Sequence, residues 1–538
     1  MNLLLLNFAT PELPCRLKLS TITKLKQVVF FHCLSMLFIL MPGLTRSQEL
    51  YKEKYRPSFH YSPAHHWIND PNGLVYLDGE YHLFYQYNPF GNVWGHMHWG
   101  HAVSKDLVHW KELPAALAEE GEVMIFSGSA VVDYKNTSGF AGKNGQAPMV
   151  AIYTGHIENK SQSQHIAYSL DKGRTWTKYK GNPVLDLGTK EFRDPKVFWY
   201  APDNKWVMAV VLPIDKKIQF YSSKNLKEWA LMSSFGPAGD TSGIWECPDL
   251  FQVPIAGSPG KYKWVLMHSP APYMQYFVGE FDGKTFTNEN PAGTIYRPDY
   301  GPDYYAAIIY NNLPAGSRPT SIGWVNNWKY ANQIPDSPWN GAMSLPRELQ
   351  LKRSGNEWLL MQQPVKTVSQ LMYGAKNYQN VNTKNGWGPS ETASESFATE
   401  IVIDRNRSNK IIIDLAASAL VLTYDDALSQ IQQKRSGGNN AFQNAEFLSL
   451  SNFSAPVSKG GDKLNIKIFF DHSIVEVFVN DGEVVMTAQV FPFVENQPMS
   501  ISTSNNATIP SVKTWQIRSI WNKNNSPGLY MMDPGSAE

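Results

Sequence analysis

Three acidic motifs stand out in this chain: Trp67-Ile68-Asn69-Asp70-Pro71-Asn72-Gly73, Phe192-Arg193-Asp194-Pro195 and Trp245-Glu246-Cys247-Pro248-Asp249. Each sets a carboxylate near a proline in an aromatic-rich segment. Carboxylates gathered in an aromatic pocket are what cleavage of a glycosidic bond requires: one attacks or steadies a cationic sugar, and another protonates the leaving oxygen. Taken singly, each motif has a plainer reading. Asp70 could be a nucleophile oriented by its asparagine neighbours, or Asp70-Pro71-Asn72-Gly73 could simply be a turn. Arg193 favours an ionised Asp194, suited to steadying an oxocarbenium-like transition state, or the two could be a surface ion pair. Glu246 lies between Trp245 and Cys247 with Asp249 close by. Apolar neighbours and a like charge both raise a carboxyl pKa, as a general acid at neutral pH needs; the alternative is an edge-strand glutamate. The ordered set of three carries more weight than any one of them.

The motifs are far apart in sequence, so a fold must bring them together. From Tyr61 onward short strand-like runs alternate with turns, as in 73–77, 81–87 and 148–153, with Asp78-Gly79 and Asp282-Gly283 as hairpin signals. A weak repeat runs through this region. Ser104–Trp110 recurs as Ser169–Trp176 and Ser223–Trp229, so that successive copies begin 65 and 54 residues apart. That spacing is the size of one four-stranded propeller blade. In a propeller the innermost strands line one central pocket, which is how residues 70, 194 and 246 could meet. Composition shifts after residue 365 to Asn, Ser, Lys and Gly, and alternating strands follow (400–404, 410–415, 464–470, 473–479, 483–490), the pattern of a β-sandwich. The expected organisation is a signal peptide at 1–48, an all-β propeller catalytic domain at 49–370, a linker at 371–390, a β-sandwich at 391–522 and a loose tail at 523–538.

Bulk properties agree. At 538 residues the chain calls for at least two domains, and its net charge of +1 gives no electrostatic reason to bind nucleic acid. Aromatics are 13% of residues, with 17 Trp and 26 Tyr, which suits stacking on sugar rings but is also common in large β-rich proteins. Cys15 and Cys33 precede the expected mature start, leaving Cys247 alone and without an intrachain disulfide. No Cys/His cluster has zinc spacing, so no metal is expected. Arg16, Lys18, Lys24 and Lys26 precede a broken apolar run over 28–44, which reads as an export signal cleaved near Ser47 or Gln48, with a retained anchor as the alternative. The mature protein is therefore expected outside the membrane, secreted or periplasmic. Oligomeric state is not legible.

On these motifs the chain resembles glycoside hydrolase family 32, the invertases, exo-inulinases and levanases, from about Tyr55 to Trp521. The resemblance implies a five-bladed propeller followed by a β-sandwich, with Asp70 as nucleophile, Glu246 as acid/base and Asp194 as transition-state stabiliser. It further implies substrate contacts from Asn69, Gln86, Trp94, Phe126, Ser127, Arg193 and a tryptophan of Gly323–Trp328, with Trp324 favoured over Trp328. Phe126 departs from the usual Trp-Ser-Gly-Ser and could alter the pocket wall. The implied reaction is retaining, through a covalent fructosyl-enzyme, with the two reacting carboxyl groups roughly 5 to 5.5 Å apart and no cofactor. Asp299–Asp303 and Gly323–Trp328 look most like exo-levanases and exo-inulinases, so fructan is the expected substrate, with sucrose a lesser one. An invertase, a fructosyltransferase, an inverting arabinoside hydrolase on a related propeller and a silent fructan-binding protein are the alternatives.

Overall fold

A computed structural model describes residues 50–521 apart from 144, 292, 407–409 and 495; the expected signal peptide and tail lie outside the described residues. Five antiparallel sheets follow one another along the chain between residues 66 and 364. Their innermost strands are His66–Leu77, Val123–Val132, Arg193–Tyr200, Trp245–Pro254 and Tyr305–Ile309. Each innermost strand contacts the next, and the fifth returns to the first, so the sheets are the blades of a closed five-bladed propeller. Closure between the fifth and first blades is made by backbone bonds from Asn311 N–H to Leu74 O (2.8 Å) and from Tyr76 N–H to Asn311 O (3.0 Å). A short parallel pairing of Trp339-Asn340 with His66-Trp67 adds to it.

The repeated Ser-to-Trp segments are the turns from the third to the fourth strand of the first three blades. In each copy the serine hydroxyl (Ser104, Ser169, Ser223) accepts backbone N–H bonds from the turn it opens. The side chain thus satisfies donors that no strand partner reaches, which is why serine recurs there.

The β-sandwich pairs a six-stranded sheet (372–382, 508–517, 396–404, 463–471, 474–479, 484–489) with a five-stranded one (452–456, 430–435, 420–425, 410–415, 500–503). The expected linker at 371–390 is corrected here: Met372–Asn382 is an edge strand paired with Thr508–Ile517. It reads as a linker because most of its residues are exposed and it is rich in Asn, Lys and Gln, as edge strands often are. Ile474–Val479 is buried on both faces, whereas Lys410–Leu415 alternates buried and open. Val475, Val477 and Val479 face the sandwich core, while Phe478, with Phe469 and Val485, packs in a cluster with Ile308, Tyr310 and Leu345 of the propeller.

Buried charges pin that contact. Arg347 donates to Glu476 (2.7 Å) and Asp299 (3.0 Å), and His60 bridges Asp471 (2.8 Å) and Glu476 (3.1 Å). Asp303 accepts from Arg435 Nη1 (3.0 Å), Gln489 N–H (2.7 Å) and the Tyr330 hydroxyl. Asp471-His472-Ser473 reads in sequence as a turn, and His472-Ser473 turns the chain between two paired strands. Asp471 also accepts the backbone N–H groups of Ser58, Phe59 and His60 and so clamps the N-terminal segment onto the sandwich.

Burial works against a charge on His60, but its hydrogen bonds to Asp471 and Glu476 outweigh it and raise its pKa from 6.5 to about 9. A raised histidine pKa contributes stability that is fully present below 6.5 and lost as pH rises through about 9. The melting temperature of the parent relative to His60→Gln is therefore expected to be greatest below pH 6.5 and to shrink towards pH 9. A pH-independent difference in calorimetry would rule this linkage out.

Candidate active site

All five inner strands carry the same irregularity near their first residues. Three steps along the inner strand match two along its neighbour: 68–71, 125–128, 193–196, 246–249 and 305–308 each hold one extra residue. A bulge breaks the in–out alternation and re-aims side chains towards the axis. Inside or directly ahead of the five bulges lie Asn69-Asp70, Phe126-Ser127, Arg193-Asp194, Glu246-Cys247 and Tyr305-Ala306. Asp194, Cys247 and Ala306 hold the left-handed conformation, at φ 63°, 49° and 52°. Gly128 follows the second bulge because the strands approach too closely for a side chain: a Cβ there would stand 2.1 Å from the Ile152 carbonyl oxygen.

The bulges bring the three sequence-predicted carboxylates into one cluster. Asp70 accepts from Ser127 Oγ (2.7 Å), Asn69 Nδ2 (3.1 Å) and the Cys247 thiol (3.5 Å). Asn69 is fixed in turn by the Trp67 indole N–H (2.8 Å). Asp194 accepts from the Cys247 backbone N–H (2.9 Å), and its own N–H donates to Thr154 Oγ1 (3.0 Å). Cys247 thus touches two of the carboxylates and is joined by a peptide bond to Glu246, the third. Arg193 donates to Glu246 Oε1 from Nη2 (2.8 Å) and Nε (3.2 Å), and to Glu191 and Gln162. The Tyr305 hydroxyl donates to Glu246 Oε2 (2.5 Å).

The electrostatics differ from expectation at two points. Arg193 was expected to keep Asp194 readily ionised, but its guanidinium is turned to Glu246 and stands 3.9 Å from Asp194. Burial, the largest effect, therefore raises the Asp194 pKa despite Arg193, and the charges of Glu246 and Asp70 add to the rise. Asp249 was expected beside Glu246; instead it lies past the bulge, bound to Lys196 (3.0 Å), and Glu246 is ringed by polar donors. Burial, then the charge of Glu246, raises Asp70 against its three hydrogen bonds. Burial, then a neighbouring carboxylate, also pushes the Cys247 thiol and the Tyr305 phenol well up, so both remain protonated donors.

The expected substrate contacts fall as follows. Ser127, Asn69 and Arg193 are within the cluster. Gln86 is buried, its amide nitrogen committed to Ile125 O (3.1 Å). Trp94 is 39% exposed and meets Phe126 edge-on (6.0 Å between centroids). Phe126 stacks on His156 (4.2 Å, 13°). Trp324 is corrected: at 0% exposure, packed between Trp67 (5.8 Å) and Trp328 (4.8 Å), it offers no face to a sugar. Trp328 is half-buried and retains open surface. Strand alternation could not separate these two, because Trp328 lies in the loop beyond the strand Thr320–Val325. Sequence reasoning missed Tyr305, Thr154 and Glu191, none of which sits in an acidic motif. The shared bulge that would have singled out Tyr305 leaves no common residue type.

The family model described as "Glycosyl hydrolases family 32 N-terminal domain" matches residues 60–364, and "Glycosyl hydrolases family 32 C terminal" matches residues 367–517. The chain belongs to glycoside hydrolase family 32. It is 42% identical over 503 residues to a levanase of Bacillus subtilis, covering 88% of this chain and 72% of the relative. The crystal structure of an exo-inulinase from Aspergillus awamori superposes with a TM-score of 0.81 at 36% identity, covering 88% of this chain and all of that one. A β-fructofuranosidase from Schwanniomyces occidentalis complexed with fructosyl-erythritol gives 0.78 at 32%, covering 87% and 99%. The protein is thus a glycoside hydrolase of the fructosidase family, with the all-β propeller and sandwich of that family.

Burying Asp70 and Asp194 with raised pKa values places their stabilising contribution below the unfolded carboxylate range of 3.8; at neutral pH their ionisation costs stability. Asp70→Asn and Asp194→Asn are each expected to raise the melting temperature at pH 7 while lowering kcat by at least about 10³-fold. Two variants that melt below the parent at pH 7 yet match it at pH 3.5 would show the opposite sign.

Proposed function

We propose that this family 32 hydrolase is a retaining, exo-acting β-fructosidase. It releases terminal non-reducing β-D-fructofuranosyl units from levan- or inulin-type fructans and, less well, from sucrose. One observation carries the reading: Asp70 and Asp194 meet at Cys247, whose neighbour Glu246 is held between Arg193 and Tyr305. In this reading Asp70 attacks the anomeric carbon, Glu246 gives a proton to the departing glycosidic oxygen, and a fructosyl ester forms on Asp70. Glu246 then takes a proton from water, the water oxygen bonds to the anomeric carbon, and the ester breaks to free Asp70. Two displacements retain configuration. Asp194 binds sugar hydroxyls and steadies the oxocarbenium-like transition states. Asn69, Gln86, Trp94, Phe126, Ser127 and Arg193 contact the sugar, and Trp328 takes the place expected of Trp324.

Relatives named levanase and extracellular exo-inulinase support the fructan preference and a site of action outside the cell. The likeness to a β-fructofuranosidase favours sucrose cleavage as the second reading.

The test is a time course of the protein lacking residues 1–48 with levan, inulin and sucrose, with anomers read by NMR. Fructose as the sole early product from a fructan, first in the β form and faster than from sucrose, is expected. Faster sucrose cleavage would make it an invertase, oligosaccharide ladders would sink the exo assignment, and α-fructose would sink retention. Glu246→Gln should lower kcat by about 10²–10⁴-fold on fructan, and less on a fructoside whose leaving group needs no proton. An equal loss on both would remove Glu246 from the acid role.

A further inference from the structure

Beneath the carboxylates lies a charged pair that the proposed chemistry does not use. Lys196 is 3% exposed and Asp249 is fully buried, with Nζ and Oδ2 3.0 Å apart. The two residues hold equivalent places, each the first paired residue after its bulge, on the strands that carry Asp194 and Glu246. A third strand joins them. Lys196 Nζ also donates to Ile309 O (2.8 Å), and Ile309 N–H donates to Asp249 Oδ2 (2.8 Å). Ile309 ends the inner strand that begins with Tyr305, the donor to Glu246.

Burial opposes both charges, lowering the Lys196 pKa and raising that of Asp249. A buried ion pair is a poor stabiliser compared with well-packed apolar side chains of the same volume. Apart from Arg193–Glu246 at the site itself, contacts between inner strands include neutral bonds, such as Ser129 Oγ to Pro195 O (2.8 Å) and Asn311 Nδ2 to Ala130 O (2.9 Å). What a charged pair adds in a low-dielectric interior is a steep dependence on distance. That matters between blades, because the inner strands of neighbouring sheets share no ladder to fix how far one stands from the next.

We propose that the Lys196–Asp249 pair is a positioning element of the active site, fixing the third, fourth and fifth inner strands so that Arg193, Asp194, Glu246 and Tyr305 meet in one geometry. The proposal rests on the reading of those residues as the catalytic set. Neither Lys196 nor Asp249 acts on the sugar; both act through the strands they join.

The test is the double variant K196M/D249L, which removes both charges and roughly keeps their volume. It is expected to melt at or above the parent's temperature and to hold KM within about threefold. Its kcat should fall about 10²-fold, the cost of a misplacement near 1 Å, with a displaced pH profile. D249N keeps an acceptor for Lys196 and Ile309 and should lose only about tenfold in kcat at unchanged KM. Either folded variant with the parental kcat and pH profile would overturn the proposal, and D249N decides alone if the double variant does not fold. Rates are read as ratios to the parent on whichever fructoside the parent cleaves. A wrong substrate assignment would show in the parent's own rates, whereas a wrong assignment of the pair would leave the ratio at one.

Discussion

Packing three carboxylates together, two of them buried, with one guanidinium beside them is the constraint on which the rest of the structure depends. The charge of Glu246 repels Asp70 and Asp194, and burial disfavours the charge of each of those two. Among the described residues Arg193 is the one cation in direct contact, and most of it is spent on Glu246 and Glu191. The remaining compensation comes from neutral donors: Ser127, Asn69, Tyr305, and the backbone and thiol of Cys247. These donors come from four blades besides the one that holds Arg193. The cluster therefore exists only when all five inner strands stand at fixed distances around a closed axis, and five matching bulges are the local device that turns the side chains inward.

Closure of the ring is made by the propeller through the backbone bonds of Asn311 and Trp339-Asn340 and through apolar packing of Ile68 and Leu74 in one cluster with Ile308 and Ile322. The sandwich reinforces that seam. His60 leads into the first blade, Leu345 and Arg347 belong to the fifth, and all three bind Glu476. Asp299 and Asp303, just ahead of the fifth inner strand, accept the backbone N–H groups of Thr487 and Gln489. The second domain thus acts as a brace across the joint where blades one and five meet. Its strands Ile474–Val479 and Val484–Gln489 are buried on both faces because one face serves the sandwich core and the other serves the propeller.

The chemistry was legible in the sequence because carboxylic acids beside prolines and aromatics are rare enough to be noticed, and because three of them in order imply convergence. Blade rhythm was legible because a serine-opened turn needs the same side chain each time. Family likeness supplied the blade count and the roles. What stayed hidden was set by contact. Arg193 is adjacent to Asp194 in sequence but turned to Glu246 in space. Asp249 is three residues from Glu246 but beyond a bulge, bound to Lys196. Trp324 and Trp328 look alike as residues, and only burial separates them. Asp299 and Asp303, which look like part of a substrate signature, hold the two domains together.

The sequence by itself determined the types of the reacting groups, the all-β class and the order of two domains, since these follow from residue chemistry and from local periodicity. Tertiary structure alone decided which carboxylate each donor serves, which aromatic faces stay open and which charges are structural. Those outcomes depend on distances between strands far apart in sequence, and bulges, which leave no signature in residue type, turn Asp70, Ser127, Asp194 and Glu246 towards one another.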